Sequence, residues 1–269
     1  MSSNNIIRVA VSGACGRMGQ EVVKAVVDAP DMELVGAIDK FNAGQDIGNI
    51  IFGKPLGILI EEDLEAGLKN KDIDVVVDFT DPGSVFANAQ IILNSGARPV
   101  IGTTGLEIEQ INKLKKLSEE KNLGLLIAPN FTIGAVLMMK FAEMAAKYFE
   151  NAEIIELHHN KKKDAPSGTA VKTAQMMEKA RNEFGTDNVP EIELIEGSRG
   201  GTTESGIHIH SVRLPGYVAS QEVLFGSAGQ VLKIRHDSID RTCYMPGVLL
   251  GIRHSVKNND FVYGLEHIL

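Results

Sequence analysis

The residues best suited to chemistry lie in one segment, residues 156–170, which reads ELHHNKKKDAPSGTA. Its two imidazoles, on His158 and His159, can exchange protons near neutral pH. Three lysines follow at 161–163, and a lysine crowded by other cations gives up its proton more readily. A solvated basic loop is the competing interpretation, and we favour it for the outer two lysines taken singly. For the segment as a whole, we predict a cationic pocket in which a side chain exchanges a proton with an anionic substrate.

The second half of this segment predicts the start of a helix. Proline disfavours helix in the residue before it, so we expect the helix to begin after Pro166, capped by Asp164 or Ser167. The N–H groups of Gly168 and Thr169, with the Thr169 hydroxyl, would then form a carboxylate site. The lysines lead straight into this helix start, so positive charge and N–H groups converge on one place.

A glycine-rich turn near the amino terminus indicates a dinucleotide. Residues 13–19 read GACGRMG, between an apolar run and a helical pattern. Glycines let backbone N–H groups approach a pyrophosphate, and a helix start favours its negative charge. Asp39 lies where an acid can bond the adenosine ribose, and Lys40 beside it could pair with a 2′-phosphate. We therefore predict NADH or NADPH, and the two side chains together leave the choice open.

Three further stretches, each at the end of a predicted strand, predict the rest of a cofactor cleft. They are residues 78–80, 102–105 and 128–131. Ligands of an open parallel sheet bind beyond the carboxyl ends of its strands. Thr103 and Thr104 offer hydroxyls, and Asn130 can hydrogen-bond a carboxamide such as that of nicotinamide. Phe131 is expected to line the pocket.

The order of the elements predicts an α/β fold with a Rossmann-type parallel-sheet domain, followed by an α+β domain with a mixed sheet. Apolar strands alternate with helical patterns as far as residue 128, which is typical of a sheet covered on both faces. One of these helices, over 82–94, would carry proline in its first turn. We expect a dinucleotide-binding domain over residues 1–132 and 241–269, and a substrate-binding and oligomerisation domain over 133–240.

Composition limits the partners and the location. A formal net charge of −8 and the absence of tryptophan argue against nucleic acid and anionic membranes. The first five residues, MSSNN, lack the basic and apolar regions of a signal peptide, and only two cysteines are present, so we expect a cytoplasmic protein. His208 and His210 share a face of a predicted strand, but no third ligand is evident, so we predict no metal site.

These residues together resemble the 4-hydroxy-tetrahydrodipicolinate (dihydrodipicolinate) reductase family of bacterial lysine and diaminopimelate synthesis, along essentially the whole chain. The most specific likeness is the pattern E-x-H-x-x-x-K-x-D-x-P-S-G-T-A, which begins at Glu156. The resemblance implies a homotetramer that reduces a small cyclic dicarboxylate with NADH or NADPH, with hydride going to ring C4 and a proton coming from His158 or Lys162. The implied substrate contacts are His159, Lys162, Ser167, Gly168 and Thr169. The implied cofactor contacts are Gly13, Ala14, Cys15, Gly16, Arg17, Met18, Asp39, Lys40, Phe79, Gly102, Thr103, Thr104, Ala128, Pro129, Asn130 and Phe131.

The chain departs from the family pattern at a few places, and two other functions compete. Cys15 and Pro129 stand where many members have glycine and alanine, which bears on cofactor preference. One alternative is another NAD(P)-dependent dehydrogenase of similar build. The other is a nucleotide-sensing binding protein without catalysis, which would not need His158 and Lys162 together.

Overall fold

The computed structural model describes residues 6–185 and 192–269, which fall into two compact units. Unit 1 comprises Met1–Phe131 and Tyr244–Leu269, and unit 2 comprises Thr132–Cys243. The predicted features of the first five residues lie outside the described part of the chain. Within that part, no helix combines the length and apolar character needed to cross a membrane. The roles that we assign to the two predicted domains remain predictions.

Strands and helices follow one another along the described residues. The strands are β1 (Ile7–Ser12), β2 (Met32–Ile38), β3 (Ile60–Glu61), β4 (Val75–Asp78), β5 (Arg98–Ile101), β6 (Leu125–Ile127), β7 (Asn151–His158), β8 (Gly201–Thr202), β9 (His208–Arg213), β10 (Ala219–Ser227), β11 (Gln230–Ser238) and β12 (Phe261–Tyr263). The helices are α1 (Arg17–Asp28), α2 (Ile47–Phe52), α3 (Leu64–Leu68), α4 (Val85–Ser95), α5 (Ile108–Lys121), α6 (Ile133–Ala146), α7 (Gly168–Ala180) and α8 (Met245–Lys257). Short 3₁₀ turns, Arg241–Tyr244 and Leu265–His267, precede α8 and follow β12.

Unit 1 contains a seven-stranded sheet in which every described strand pair is parallel. The order is β12-β6-β5-β4-β1-β2-β3. The chain leaves β1 first towards β2 and later returns to β4 on its other side. The carboxyl ends of β1 and β4 therefore flank the point where the strand order reverses, which is where Rossmann-type sheets bind nucleotides. The predicted parallel-sheet fold is confirmed.

Both faces of this sheet are covered, which explains the uninterrupted apolar strands. Leu125 and Ile127 of β6 join a buried cluster with side chains of α4 and α5. Leu126, between them, points to the other face, where its Cδ2 atom leaves no room for a side chain on Gly251 of α8. Alternate residues of one strand are thus buried against helices on opposite faces.

Unit 2 contains a mixed sheet, in the order β11-β10-β7-β9-β8. The β7–β9 pair is parallel, whereas the β7–β10, β10–β11 and β8–β9 pairs are antiparallel. Helices α6 and α7 contact each other and pack on this sheet. The predicted mixed sheet is confirmed, and its central strand is β7, which carries the start of segment 156–170.

The structure corrects one predicted helix and adds several short elements. The helix predicted over 82–94 begins at Val85, because Asp81 first captures the N–H groups of Gly83 and Ser84 in a turn that contains Pro82. The sequence pattern does not reveal α2, α3, β3, β8 and β12. Each has six residues or fewer, which is too short for a periodic apolar pattern to stand out.

Candidate active site

The loop over residues 13–19 joins β1 to α1 and is shaped by close backbone approaches. Gly13 has a φ of +79°, and a Cβ there would collide with the carbonyl oxygen of Phe79. A Cβ on Gly19 would in turn collide with the carbonyl oxygen of Gly13. Only glycine satisfies both positions, so these two residues let α1 begin directly against the ends of β1 and β4.

Most N–H groups of this loop are used within unit 1. Four of them donate to neighbouring backbone or to Asp39, at 2.8–3.1 Å: those of Gly13, Ala14, Cys15 and Gly16. The N–H groups of Arg17 and Met18, in the first turn of α1, have no acceptor among the described residues. An anion at this loop would therefore be held by the first turn of α1.

Asp39, just beyond β2, braces the loop. Its Oδ2 atom accepts from the N–H of Cys15 at 2.8 Å, and its Oδ1 atom accepts from the N–H of Phe41 at 2.9 Å. Lys40 beside it is exposed, with its Nζ atom 5.8 Å from the centre of the Phe41 ring. Burial raises the pKa of the Cys15 thiol, so this cysteine is not an activated nucleophile.

A cleft of about 920 Å³ opens at this edge of the sheet, a size typical of small-molecule sites. Its walls come from the loop, the end of β2 and the end of β4. They include seven of the predicted cofactor residues: Gly13, Cys15, Gly16, Arg17, Asp39, Lys40 and Phe79. Of the three predicted strand-end stretches, residues 78–80 contribute Phe79 and Thr80 to this cleft, and residues 102–105 and 128–131 do not line it.

Asp78, at the end of β4, is buried and ties several element ends together. Its Oδ1 atom accepts from the hydroxyls of Thr103 (2.7 Å) and Thr80 (2.8 Å), and its Oδ2 atom accepts from the Asn88 amide (2.9 Å). The Thr103 hydroxyl also accepts from the Thr80 N–H at 2.8 Å. The Thr103 hydroxyl thus donates one hydrogen bond and accepts another inside the protein, and its predicted contact with a cofactor stays a prediction.

Phe79 and Phe131 form an aromatic pair with their ring centres 5.9 Å apart. The Phe79 ring lies against Gly102, where a Cβ would collide with it. Phe131 is only 1% exposed and belongs to the core, whereas Phe79 lines the cleft. The cofactor contact predicted for Phe131 stays a prediction. Of the other predicted cofactor residues, two are buried, Ala14 and Ala128, and two are exposed, Thr104 and Pro129.

In unit 2, several groups of segment 156–170 meet at the carboxylate of Glu156, which is fully buried. Its Oε2 atom lies 2.5 Å from Nδ1 of His158. The guanidinium of Arg213, at the end of β9, donates to both carboxylate oxygens, at 2.7 and 2.8 Å. The N–H of Ser167 donates to Oε1 at 3.2 Å. One buried carboxylate therefore contacts an imidazole, a guanidinium and the residue that begins α7.

The ionisation of Glu156 follows from these contacts. Burial alone would raise its pKa, but hydrogen bonds from His158, Arg213 and Ser211 outweigh burial and lower the pKa to about 2. The carboxylate is therefore ionised throughout the physiological range of pH.

The start of α7 is capped on one side and open on the other. Ser167 caps α7, because its hydroxyl accepts from the N–H of Ala170 at 3.2 Å, which settles the choice between Ser167 and Asp164. The N–H of Gly168 has no acceptor among the described residues. Gly168 is exposed, and a Cβ there would meet no atom within 4 Å. Space for a ligand is therefore available at the first turn.

The lysines of the segment differ in their surroundings. Lys162 is half-buried, and its Nζ atom lies 2.7 Å from Oδ2 of Asp164. The predicted crowding of Lys162 by other cations is corrected, because its nearest charged group is a carboxylate. Lys161 and Lys163 are exposed, as is His159.

Two participants in this arrangement were not singled out in the sequence analysis. Glu156 lies in the segment but was given no role, and Arg213 lies 57 residues away. The parallel pairing of β7 with β9 sets Arg213 opposite His158. His208 and His210 lie on the other face of the sheet, where His210 contacts Glu153 at 2.7 Å. Within residues 6–185 and 192–269, no cluster of three or more His, Cys, Asp or Glu side chains could hold a metal ion.

Comparisons with known proteins cover both units. Residues 7–131 match the family model described as dihydrodipicolinate reductase, N-terminus, and residues 134–269 match the model of its C-terminus. A 4-hydroxy-tetrahydrodipicolinate reductase from Picosynechococcus sp. is 52% identical over 275 residues, covering 100% of both chains. One from Desulfitobacterium hafniense is 52% identical and covers 98% of each. A solved dipicolinate-bound dihydrodipicolinate reductase from Paenisporosarcina sp. TG-14 is 46% identical, with a TM-score of 0.87, over 98% of this chain and 100% of that one. The chain therefore belongs to the dihydrodipicolinate reductase family of oxidoreductases.

Proposed function

We propose that the chain reduces 4-hydroxy-tetrahydrodipicolinate to tetrahydrodipicolinate with NADH or NADPH, a step of diaminopimelate and lysine biosynthesis. The observation that carries this proposal is that the Glu156 carboxylate contacts both His158 and the start of α7. It sets a group that can exchange a proton beside a helix start that can hold a carboxylate. A doubly acidic substrate that is reduced and then protonated requires both.

The residues of unit 1 fit a dinucleotide. The loop lies so close to the end of β4 that a Cβ on Gly13 would collide with Phe79. The first turn of α1 therefore faces the cleft. There the N–H groups of Arg17 and Met18 would hold the pyrophosphate. When bound, the reduced nicotinamide supplies a hydride. The role of unit 1 is to bind and orient this group, and Phe79 gives the cleft an apolar wall.

The carboxylates of the substrate would be held by the exposed part of segment 156–170. His159 and Lys162 supply positive charge, and Ser167, Gly168 and Thr169 supply the helix start. The Asp164 side chain is exposed, so a substrate carboxylate can replace it as the partner of the Lys162 ammonium. Cationic groups at this place also stabilise negative charge that develops on the substrate during reduction.

The proton would come from His158. Its Nδ1 atom is engaged by Glu156, so Nε2 is the ring nitrogen that exchanges a proton with the substrate. Lys162 then serves mainly to hold a carboxylate. This assignment divides the segment into two parts. The more buried part, with His158, exchanges the proton, and the exposed part holds the substrate.

We further infer a homotetramer in the cytoplasm. Val231 and Leu232 leave an exposed apolar stretch on the edge strand β11 of unit 2, which suits packing against a second copy of the chain. The two cysteines, Cys15 and Cys243, are both free thiols, as expected in a reducing compartment. Light scattering of the purified protein measures the oligomeric state, and a monomer would contradict this inference.

The test of the proposed function is a direct assay. Purified protein is mixed with NADH and freshly synthesised 4-hydroxy-tetrahydrodipicolinate, and absorbance is followed at the reduced-nicotinamide band. We expect rapid loss of absorbance that requires all three components and is inhibited by dipicolinate. Absence of any loss, with NADH binding intact, would reject the enzyme in favour of a nucleotide-sensing binding protein.

A further inference from the structure

Glu156 and Arg213 form a buried ion pair directly behind His158. We propose that this pair positions His158 for proton transfer and sets how readily it gives up its proton, with Glu156 orienting the ring and Arg213 offsetting the charge of Glu156. The inference rests on the proposed role of His158 as proton donor. Neither Glu156 nor Arg213 is proposed to touch the substrate.

The orientation follows from the hydrogen-bonding capacity of a carboxylate. An ionised carboxylate only accepts, so the hydrogen of the 2.5 Å contact must lie on Nδ1 of His158. The tautomer of the neutral ring is thereby fixed, and Nε2 is left to release and regain a proton. Aspartate or glutamate partners do the same for other catalytic histidines.

The guanidinium of Arg213 offsets the charge of Glu156 because it donates to both carboxylate oxygens. A lone carboxylate in contact with the ring would stabilise its protonated form and so oppose proton release. The two guanidinium bonds, at 2.7 and 2.8 Å, offset that negative charge. The pair can therefore orient His158 while placing little net charge beside the ring.

Arg213 is itself fixed in place. Its NH1 group donates to the carbonyl of Val212 and its NH2 group to the carbonyl of Asp164, each at 2.8 Å. The pairing of β9 with β7 sets Arg213 opposite His158. On the other side of β7, β10 sets the uncharged Ala219 opposite His158.

Among the residues that the structure describes, few other charges face this group. The Asp164 carboxylate, in the loop before α7, interacts with Arg213 and with Lys162. From β10, Gln221 lies opposite Glu156 and is uncharged, and Ser167, which caps α7, contributes its N–H. The Glu156–Arg213 pair is thus the main charged influence on the ring from within the sheet.

The same carboxylate also fixes the substrate side of the site. Its Oε1 atom accepts from the N–H of Ser167, the residue that caps α7. Movement of Glu156 would therefore displace the ring of His158 and the first turn of α7 together. This coupling keeps the proton donor and the carboxylate site in a fixed relation.

The test uses the pH dependence of kcat in variants that change the charge of one partner. We expect activity to fall at high pH as the proton donor loses its proton. E156Q removes the negative charge, so we expect this alkaline limb to move to lower pH by about one unit or more. R213Q removes the positive charge, so we expect the limb to move to higher pH. R213K keeps the charge but loses the fork, so the limb should stay near its original pH while kcat falls.

A matched ion pair provides the control. Arg199 contacts Glu153 at 2.8 Å on the opposite face of β7, so R199Q should lower stability without moving the limb. Shifts of opposite sign in E156Q and R213Q support the proposal, since general destabilisation would not produce them. If E156Q does not fold, the difference between R213K and R213Q carries the same comparison.

Two failures can be told apart with H158Q. If H158Q keeps the alkaline limb and its turnover, His158 is not the proton donor, and that part of the proposed function is overturned. If H158Q abolishes the limb but E156Q and R213Q leave it in place, or move it in the same direction, the positioning role of the pair is overturned and the role of His158 stands.

Discussion

The two helix starts that we propose as anion sites, those of α1 and α7, are built differently. In unit 1, the turn before α1 is shaped by backbone contacts that exclude any side chain at Gly13 and Gly19. In unit 2, the start of α7 is held by a buried charge, the carboxylate of Glu156. A loop whose shape is set mainly by backbone packing suits a large cofactor that many enzymes bind in the same way. A site organised by charge suits a small substrate whose reaction moves a proton.

The largest expected contrast comes from adding one methyl group to each helix start. G13A forces alanine into a left-handed conformation and against the Phe79 carbonyl, so unfolding free energy should fall by about 1–3 kcal/mol and NADH affinity by 100-fold or so. G168A meets no protein atom, so stability should change by less than about 0.5 kcal/mol. Its methyl group would instead crowd the substrate carboxylate and raise KM about tenfold, with NADH affinity unchanged.

Chemical denaturation, NADH fluorescence titration and steady-state kinetics on both variants measure these effects. A G168A protein that loses NADH affinity, or a G13A protein that keeps it, would remove the distinction between the two helix starts.

The second contrast concerns stability at low pH. The pKa of Glu156 is lowered to about 2 in the folded protein, against about 4.3 for an unfolded glutamate. Its contribution to stability is therefore complete above about pH 4.3 and is lost as the pH falls towards 2. The size is on the order of 3 kcal/mol. E156Q should accordingly be less stable than the unmodified protein at pH 7 and lose less stability between pH 5 and pH 3.

Denaturant titrations across this range, at fixed protein concentration, test the prediction. Glu196, an exposed carboxylate of unit 2, provides the control, since E196Q should follow the pH dependence of the unmodified protein. Parallel curves for E156Q and E196Q would contradict the role given to the buried charge.

The smallest expected effect lies at the ribose end of the cofactor cleft. Lys40 is exposed beside Asp39 and would pair with the 2′-phosphate of NADPH. K40A should lower the affinity for NADPH by about three- to tenfold, as expected for an exposed ion pair, and leave the affinity for NADH unchanged. K40R should keep the preference of the unmodified protein. Equal losses for the two cofactors in K40A would show that Lys40 does not read the phosphate.

What the sequence predicted well is local. The glycine loop, its strand and its helix are consecutive, so Gly13, Gly16 and Asp39 could be assigned to one cleft from spacing alone. Segment 156–170 could be assigned for the same reason, because the strand, the lysines and the helix start follow one another. Parallel strands separated by helices likewise predicted the sheet of unit 1.

What the sequence did not predict depends on pairing between distant strands. Arg213 reaches Glu156 only because β9 pairs in parallel with β7, and the long connection between them gives no pattern from which that register can be read. The burial of Phe131 is of the same kind. Its ring packs beside Gly251 of α8, which comes 120 residues later. The role of the Thr103 hydroxyl was missed because Asp78, its acceptor, lies on a neighbouring strand.

The central claim is that segment 156–170 handles the substrate while unit 1 binds the cofactor, and Lys162 tests it most directly. Turnover and NADH affinity are measured in K162A, with K161A and K163A as exposed neighbours of the same charge. We expect K162A to lower kcat/KM by 100-fold or more while the Kd for NADH stays within about twofold, and the two neighbours to change either value by only a few-fold. Unchanged turnover in K162A, or loss of NADH binding in step with turnover, would contradict the account.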